Sequence, residues 1–265
     1  MIKAGVTSGS KGGAALREQA QTWAQELGLP FIERSASLQV LLADGQFDAM
    51  LVATQKGPRV TLADGTNFFF HPSMSLLRVL RLERGGTDLL LNALALSPGE
   101  RVLDCTLGLA TDACVIAHAL GEHGQVTGLE ASPLIALVVK EGLRVCCTDA
   151  EQPDWLRKAA PRISVENAAY EQVLKTLPDK SYDVVYFDPL FVHPVASSAN
   201  MQPLRPLAQN GGVDAESLVQ ARRVAKRCVV IKDHCSGALL KALAAPALSG
   251  GKYSHIRFGV WEAKA

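Results

Sequence analysis

The 265 residues are 48% hydrophobic and 20% charged, which gives enough apolar material for one large domain, or for a domain with a smaller lobe. A formal net charge of +1 excludes a global field that draws the chain to nucleic acid or an anionic membrane, so any RNA contact must be a local basic patch. The apolar runs are too short to span a bilayer and the N-terminus lacks the apolar core of a signal peptide, so a soluble cytoplasmic protein is expected.

In chain order, Ile2–Thr7 is expected to be a strand, followed by a small flexible stretch containing Lys11. Leu16, Ala20, Trp23, Ala24 and Leu27 recur at helical spacing over Ala14–Leu27, and Gly28 stops that helix. Short elements follow: a strand at Pro30–Glu33, a helix at Leu38–Leu42 and a buried strand at Phe47–Thr54. Asp64-Gly65 between Arg59–Ala63 and Thr66–Phe70 signals a hairpin. Residues 1–70 therefore read as a small N-terminal α/β lobe, and residues 71–265 as the main domain.

Pro72 disfavours helix before it and Ser73 can cap the helix after it, which carries Arg78, Arg81 and Arg84. Thr87 or Asp88 caps a second helix, Leu89–Leu96. From Arg101 the pattern is βαβα: strand Arg101–Asp104, helix Asp112–Leu120, strand Gln125–Glu130, helix Pro133 to about Gly142, and a helical stretch Asp154–Ala159. It continues with strand Arg162–Glu166, helix Tyr170–Leu177 and strand Tyr182–Phe187. A long loop, Phe191–Gly212, has the length of a lid or binding segment. Helix Asp214–Lys226, strand Cys228–Lys232, helix Gly237–Leu248, which Pro246 should end early, and terminal strands within Tyr253–Ala263, joined through Gly259, complete the chain. This alternation implies a mostly parallel sheet covered on both faces, with an antiparallel edge.

The six cysteines form no C-x-x-C pair, and no His/Cys group has metal-ligand spacing, so buried or free thiols and no metal are expected. Function concentrates in Arg101–Asp112. An apolar strand ends in Asp104, a turn holds Gly108, and a helix follows whose first N–H groups lack partners. Such N–H groups suit the carboxylate of S-adenosylmethionine, and Asp104 or Asp112 suits its ammonium. Glu130 lies 22 residues beyond Gly108, where an acid accepts the ribose hydroxyls. A nicotinamide dinucleotide fits less well, because Ala110 fills the position of the middle glycine and Asp112 would face a dianionic pyrophosphate. An NAD-dependent oxidoreductase is the alternative reading. A third feature is Asp188-Pro189-Leu190-Phe191 at the end of a strand. Asp188 and the Pro189 carbonyl can accept hydrogen bonds from an exocyclic amine, and Phe191 can stack on a planar base.

In that order and spacing, these features resemble a class I S-adenosylmethionine-dependent methyltransferase, with the final element similar to the Asp/Asn-Pro-Pro-aromatic signature of amino-methyltransferases. Three runs narrow the resemblance to the bacterial small-subunit rRNA guanine-N2 methyltransferases. They are Asp104-Cys105-Thr106-Leu107-Gly108-Leu109-Ala110-Thr111-Asp112-Ala113, then Glu130 with Pro133, then Asp188-Pro189-Leu190-Phe191-Val192-His193. It implies a Rossmann-like fold with a mostly parallel seven-stranded sheet and helices on both faces. Cofactor contacts carry over to Asp104, Thr106, Gly108, Thr111, Asp112, Glu130, Ala131, Asp188, Ala169 and Tyr170. Asn167 stands where many relatives aim an acid at the adenine amine. Asp188, Pro189 and Phe191 are the expected catalytic residues. His193, Arg78, Arg81 and Lys232 are the substrate-side candidates, and RNA, in particular rRNA, is the expected partner, with a methyltransferase acting on a non-RNA acceptor as the other outcome. Lys11, Arg205, Arg222, Arg223 and Lys226 are further cations for phosphate, although Arg222–Arg227 reads better as a solvated helix face.

Overall fold

The structure, a computed structural model, describes residues 2–9, 13–189, 212–250 and 254–264. The chain packs as two compact units.

The first unit takes in residues up to His71 together with Ser132–Val145. Its strands are β1 (Ala4–Ser8), β2 (Ala49–Thr54), β3 (Gly57–Leu62) and β4 (Asn67–Phe69), paired in the order β1-β2-β3-β4. The β1–β2 pair is parallel and the other two are antiparallel. The Asp64-Gly65 hairpin forms, with the Asp64 carboxylate accepting the Thr66 N–H at 2.8 Å. Helix α1 (Gly13–Leu27) buries Ala20, Trp23 and Ala24, the stripe its spacing demands. Ser37 caps α2 (Leu38–Ala43). The Pro30–Glu33 strand does not form; Phe31 alone bridges to Val6.

The second unit starts with α3 (Ser73–Glu83), where Pro72 rather than Ser73 is the capping position, and the Ser75 hydroxyl donates to the Pro72 carbonyl at 2.8 Å. Asp88 caps α4 (Leu89–Leu94) by accepting the N–H groups of Leu90 and Leu91. There follow β5 (Arg101–Asp104), α5 (Thr111–Ala119), β6 (Gln125–Leu129), then α6 (Pro133–Thr148), most of which belongs to the first unit, and, back in the second, α7 (Asp154–Ala159), β7 (Ile163–Glu166), α8 (Tyr170–Thr176) and β8 (Tyr182–Phe187). Then come α9 (Ala215–Val224), β9 (Ala225–His234), α10 (Ala238–Ala242), β10 (Ala247–Ser249) and β11 (Ile256–Glu262). One expectation fails here: Gly259 lies inside one continuous strand instead of joining two. Helix α10 ends before Pro246, as that proline requires, and residues 247–249 are a strand. Helix α6, by contrast, runs on past Gly142, where a Cβ would lie 2.2 Å from that of Phe70.

Seven strands pair in the order β10-β11-β9-β8-β5-β6-β7, parallel from β9 to β7 and antiparallel at β10 and β11. The chain winds from β5 through β6 to β7, then returns to the other side of β5 as β8. The carboxyl ends of β5 and β8 thus flank a topological switch point, where open α/β sheets bind ligands. Strand alternation separates two chemistries there. Leu103, Val185, Phe187, Val229 and Ile231 join Leu174, Leu218 and Ala221 in one apolar core. Asp104 and Tyr186 pair across β5 and β8, on the opposite face. Helix α5 packs against α3 and α7 and is buried from Asp112 to Ala117, which suits its nearly uniform apolarity.

Candidate active site

The turn after β5 is laced to its neighbours by its own backbone. Cys105 N–H donates to the Tyr186 carbonyl and Leu107 N–H to the Leu129 carbonyl, both at 2.9 Å. Leu107 seats against Gly128 of β6, where a Cβ would stand 2.4 Å from its Cδ1. Gly108 has φ +49°, and the nearest atom to a Cβ built on it is 3.9 Å away, so the turn faces open space. Ala110 holds φ 56°, a left-handed conformation that glycine adopts freely and alanine only at a cost of about 1 kcal/mol. The resemblance expects glycine at this position.

Glu130, just past β6, accepts the Gly108 N–H at 3.1 Å through one carboxylate oxygen. The Asn167 amide nitrogen donates to the carbonyls of Glu130, at 2.8 Å, and Ala131, at 3.3 Å. Two carbonyl acceptors fix the amide's orientation, so Oδ1 is the acceptor left for an adenine amine. Ala169 occupies the cap position of α8. Tyr170 turns its side chain into the core, edge-on to Phe187, with its hydroxyl donating to the Gly212 carbonyl at 3.3 Å, so no role for its ring at the cofactor follows.

The centre of the site is a charge cluster. Lys232, near the end of β9, donates to Asp188 at 2.7 Å and to Asp112 at 3.2 Å. Arg78 from α3 also pairs with Asp112, and it grips both oxygens of Asp88 at 2.8 and 2.9 Å. Tyr186 hydroxyl donates to Asp112 at 2.7 Å. Thr106 Oγ1 accepts the Asp188 N–H, tying the ends of β5 and β8 together. Burial pushes the Asp112 carboxyl up, but Lys232 and Arg78 outweigh it and hold it well below the usual carboxylate range. Burial also lifts Asp188, with Lys232 opposing and Asp112 adding to the rise. Lys232 stays protonated, because the two carboxylates more than offset its desolvation. Asp104, 1% exposed, accepts only the Thr106 N–H among the bonds seen, and burial pushes its pKa up to about 8. At 29% side-chain exposure, against 10% for Asp112, Asp188 is the more exposed of the two carboxylates that Lys232 holds.

Several sequence expectations need correction. Arg78 is not part of a phosphate-gripping stripe, since both of its faces are spent on Asp88 and Asp112, whereas Arg81 is exposed. Arg223 caps α8 by donating to the Leu174 and Leu177 carbonyls at 2.7 and 2.8 Å, and Lys226 pairs with Asp183, so this run fastens the fold instead of forming a solvated face. Tyr186 was not singled out from the sequence and Asp88 only as a helix cap, although both complete the cluster. Sequence spacing shows no metal-ligand group, yet the fold brings ligand atoms of His234, Cys235 and His255 within 4.8 Å of one another. Phe191 and His193, like Lys11, Arg205 and most of the Phe191–Gly212 loop, lie outside the described residues.

A dinucleotide pyrophosphate would meet the Asp112 carboxylate and a left-handed alanine where glycine is required. A cofactor with a cationic methionine end meets complementary charge beside an open glycine turn. Residues 73–262 match the family described as "Putative SAM-dependent methyltransferase". The chain belongs to this family: it is an S-adenosylmethionine-dependent methyltransferase with a Rossmann-like fold. Among its relatives, the uncharacterized protein YpiP of Bacillus subtilis (strain 168) is 38% identical over 216 residues, 81% of this chain and 82% of that one. Ribosomal RNA small subunit methyltransferase J of Thioalkalivibrio sulfidiphilus (strain HL-EbGR7) is 30% identical over 250 residues, 91% of this chain and 89% of that one. The crystal structure of the SAM-dependent methyltransferase NGO1261 from Neisseria gonorrhoeae shares the fold, with a TM-score of 0.66 at 22% identity over 98% of this chain and 96% of that one. Among the described residues no helix is long and apolar enough to cross a membrane.

Proposed function

We propose that this methyltransferase acts on an exocyclic amine of an RNA base, with guanine N2 of small-subunit rRNA as the acceptor. The observation that carries this reading is Asp188-Pro189 at the switch point, with the most exposed carboxylate of the cluster held by Lys232 and by its own N–H on Thr106. S-adenosylmethionine supplies an electrophilic methyl group. Asp104 takes the ammonium of its methionine end, Glu130 the ribose hydroxyls and Asn167 Oδ1 the adenine amine, with Thr106, Gly108, Thr111, Ala131 and Ala169 lining the turn. Asp112 acts indirectly, as the anion that keeps Lys232 and Arg78 in place. Asp188 and the Pro189 carbonyl accept hydrogen bonds from the target amine and aim its nitrogen at the methyl group. Positioning of that kind is where most of the rate is gained in a direct methyl transfer. Phe191 stacks on the base, His193 and the exposed Arg81 contact the RNA, and a base within structured RNA is flipped out to reach them.

The name of the Thioalkalivibrio relative supports an rRNA acceptor. The test is methyl transfer from labelled S-adenosylmethionine into total RNA, protein and small-molecule fractions from a strain lacking the gene. Label in small-subunit rRNA, recovered as N2-methylguanosine, is the expected result, and label confined to protein or small molecules refutes it. Asp188→Ala abolishes transfer while keeping most cofactor binding; full activity in that variant overturns the assignment.

A further inference from the structure

Two residues beyond Lys232, β9 ends in His234, and Cys235 follows in the turn into α10. His255 enters β11 on the neighbouring strand. The register pairs Ile256 with His234, and Cys235 N–H donates to the His255 carbonyl at 2.9 Å, so the backbone of both segments is fixed by the sheet. The buried Asp233 carboxylate locks the turn further, accepting N–H groups from His234 at 2.7 Å and Leu240 at 3.2 Å. These two loops bring one thiol and two imidazoles within 4.8 Å of one another.

We infer that His234, Cys235 and His255 form a binding site for a zinc-type transition-metal ion, separate from the carboxylate cluster of the methyl-transfer site. Zn–S bonds of about 2.3 Å and Zn–N bonds of about 2.0–2.1 Å place tetrahedral ligand atoms roughly 3.4–3.6 Å apart. Cys235 Sγ already lies 3.6 Å from the His234 ring nitrogens. His255 is exposed, and closing its contact takes only a side-chain adjustment. Ser236 meets His234 Nδ1 through its N–H at 3.3 Å and its hydroxyl at 3.4 Å. The Ser236 N–H donates to Nδ1, so Nδ1 is the acceptor of the neutral ring, and Ser236 holds the imidazole beside the Cys235 thiol.

The donor set also selects the ion. One thiolate and two imidazoles suit zinc, cobalt or copper, and disfavour magnesium and calcium, which take oxygen. Cys235 also lines a cavity of about 290 Å³ together with Leu240, Lys241, Leu248 and Arg257. The two cations on that wall oppose a loosely held hard cation, so an ion stays only through its sulfur and nitrogen bonds. Three protein ligands leave a fourth position for water or an anion. Binding forms the metal–sulfur bond as the Cys235 thiol releases its proton to the buffer, with no change of oxidation state.

The test uses the purified full chain, stripped with a chelator and titrated with Co²⁺ as the spectroscopic probe. One equivalent is expected to give a near-ultraviolet thiolate-to-cobalt band and visible bands of four-coordinate Co²⁺, all bleached by Zn²⁺. Cys235→Ser loses the near-ultraviolet band, and His255→Ala weakens Co²⁺ binding by about tenfold or more. S-adenosylmethionine binding is unchanged in both, as the check on folding. Should Cys235→Ser fail to fold, the exposed His255→Ala substitution decides alone. No band in the wild-type chain under a large excess of Co²⁺, a band that survives in folded Cys235→Ser, or unchanged affinity in His255→Ala overturns the inference.

Discussion

Asp104→Asn is expected to stabilise the protein in the absence of S-adenosylmethionine, and more so as the pH rises. The Asp104 carboxyl titrates near 8 in the folded chain against 3.8 in an unfolded one, chiefly because it is buried. Between those values the native state keeps a proton that the unfolded state has released. Stability contributed by this group is therefore complete below pH 3.8 and is lost as pH rises to about 8, at about 1.4 kcal/mol per unit, then levels off. The ceiling is about 6 kcal/mol, and relaxation around the charge brings the measurable gain to about 2–3 kcal/mol. Asparagine keeps the shape, accepts the Thr106 N–H as aspartate does, and never ionises. For a chain of this size that gain is worth roughly 5–10 °C in Tm. Thermal melts of both proteins from pH 5 to 9 give the answer: the Tm difference must widen with pH and flatten above about 8. A variant less stable than wild type at pH 9, or a difference independent of pH, refutes the reasoning.

Other outcomes follow from the same cluster. Asp104→Asn binds S-adenosylmethionine at least about tenfold more weakly, as measured by calorimetry, if the carboxylate takes the ammonium, since a charged hydrogen bond is worth about 1.5–3 kcal/mol. In the wild type at pH 7, binding of that cation ionises Asp104, and calorimetry in buffers of different ionisation enthalpy detects the released proton. Arg78→Ala leaves Asp88 and Asp112 facing each other without their shared cation and costs about 3–5 kcal/mol in denaturant unfolding, whereas Arg81→Ala leaves stability unchanged and lowers RNA affinity. Gly108→Ala forces a side chain into left-handed backbone at about 1–2 kcal/mol and places a methyl group in the open side of the turn; cofactor affinity falls with it.

The parts of the fold governed by local pattern were legible in the chain. Strands Arg101–Asp104 and Tyr182–Phe187 have the expected bounds, because each is a short apolar run closed by Asp and a turn. What failed was set by distant partners. Arg78 looked like one member of a basic stripe, yet its carboxylates come from 10 and 34 residues away. Gly142 carries a helix-stopping signal, but the missing Cβ is what admits Phe70, so the helix continues. Gly259 behaves likewise: a Cβ there would stand 2.7 Å from Leu240 and 2.8 Å from the Trp261 ring, so glycine lets those side chains close over an unbroken strand. Strand Ala247–Ser249 exists only through its pairing with Phe258–Val260. The His234, Cys235 and His255 group escaped sequence spacing rules for the same reason, since an antiparallel pairing brings its halves together.

Asp88 has two jobs: it caps α4 through the N–H groups of Leu90 and Leu91, and it clamps Arg78. From there an unbroken line of charge-assisted bonds runs through Asp112 and Lys232 to Asp188. Opening the first turn of α4 therefore means loosening the anchor of Asp188, the carboxylate proposed to hold the target amine. The amide protons of Leu90 and Leu91 become a remote gauge of the site: their exchange with solvent deuterium slows when ligands stiffen the far end of the line, and quickens when Lys232 is removed.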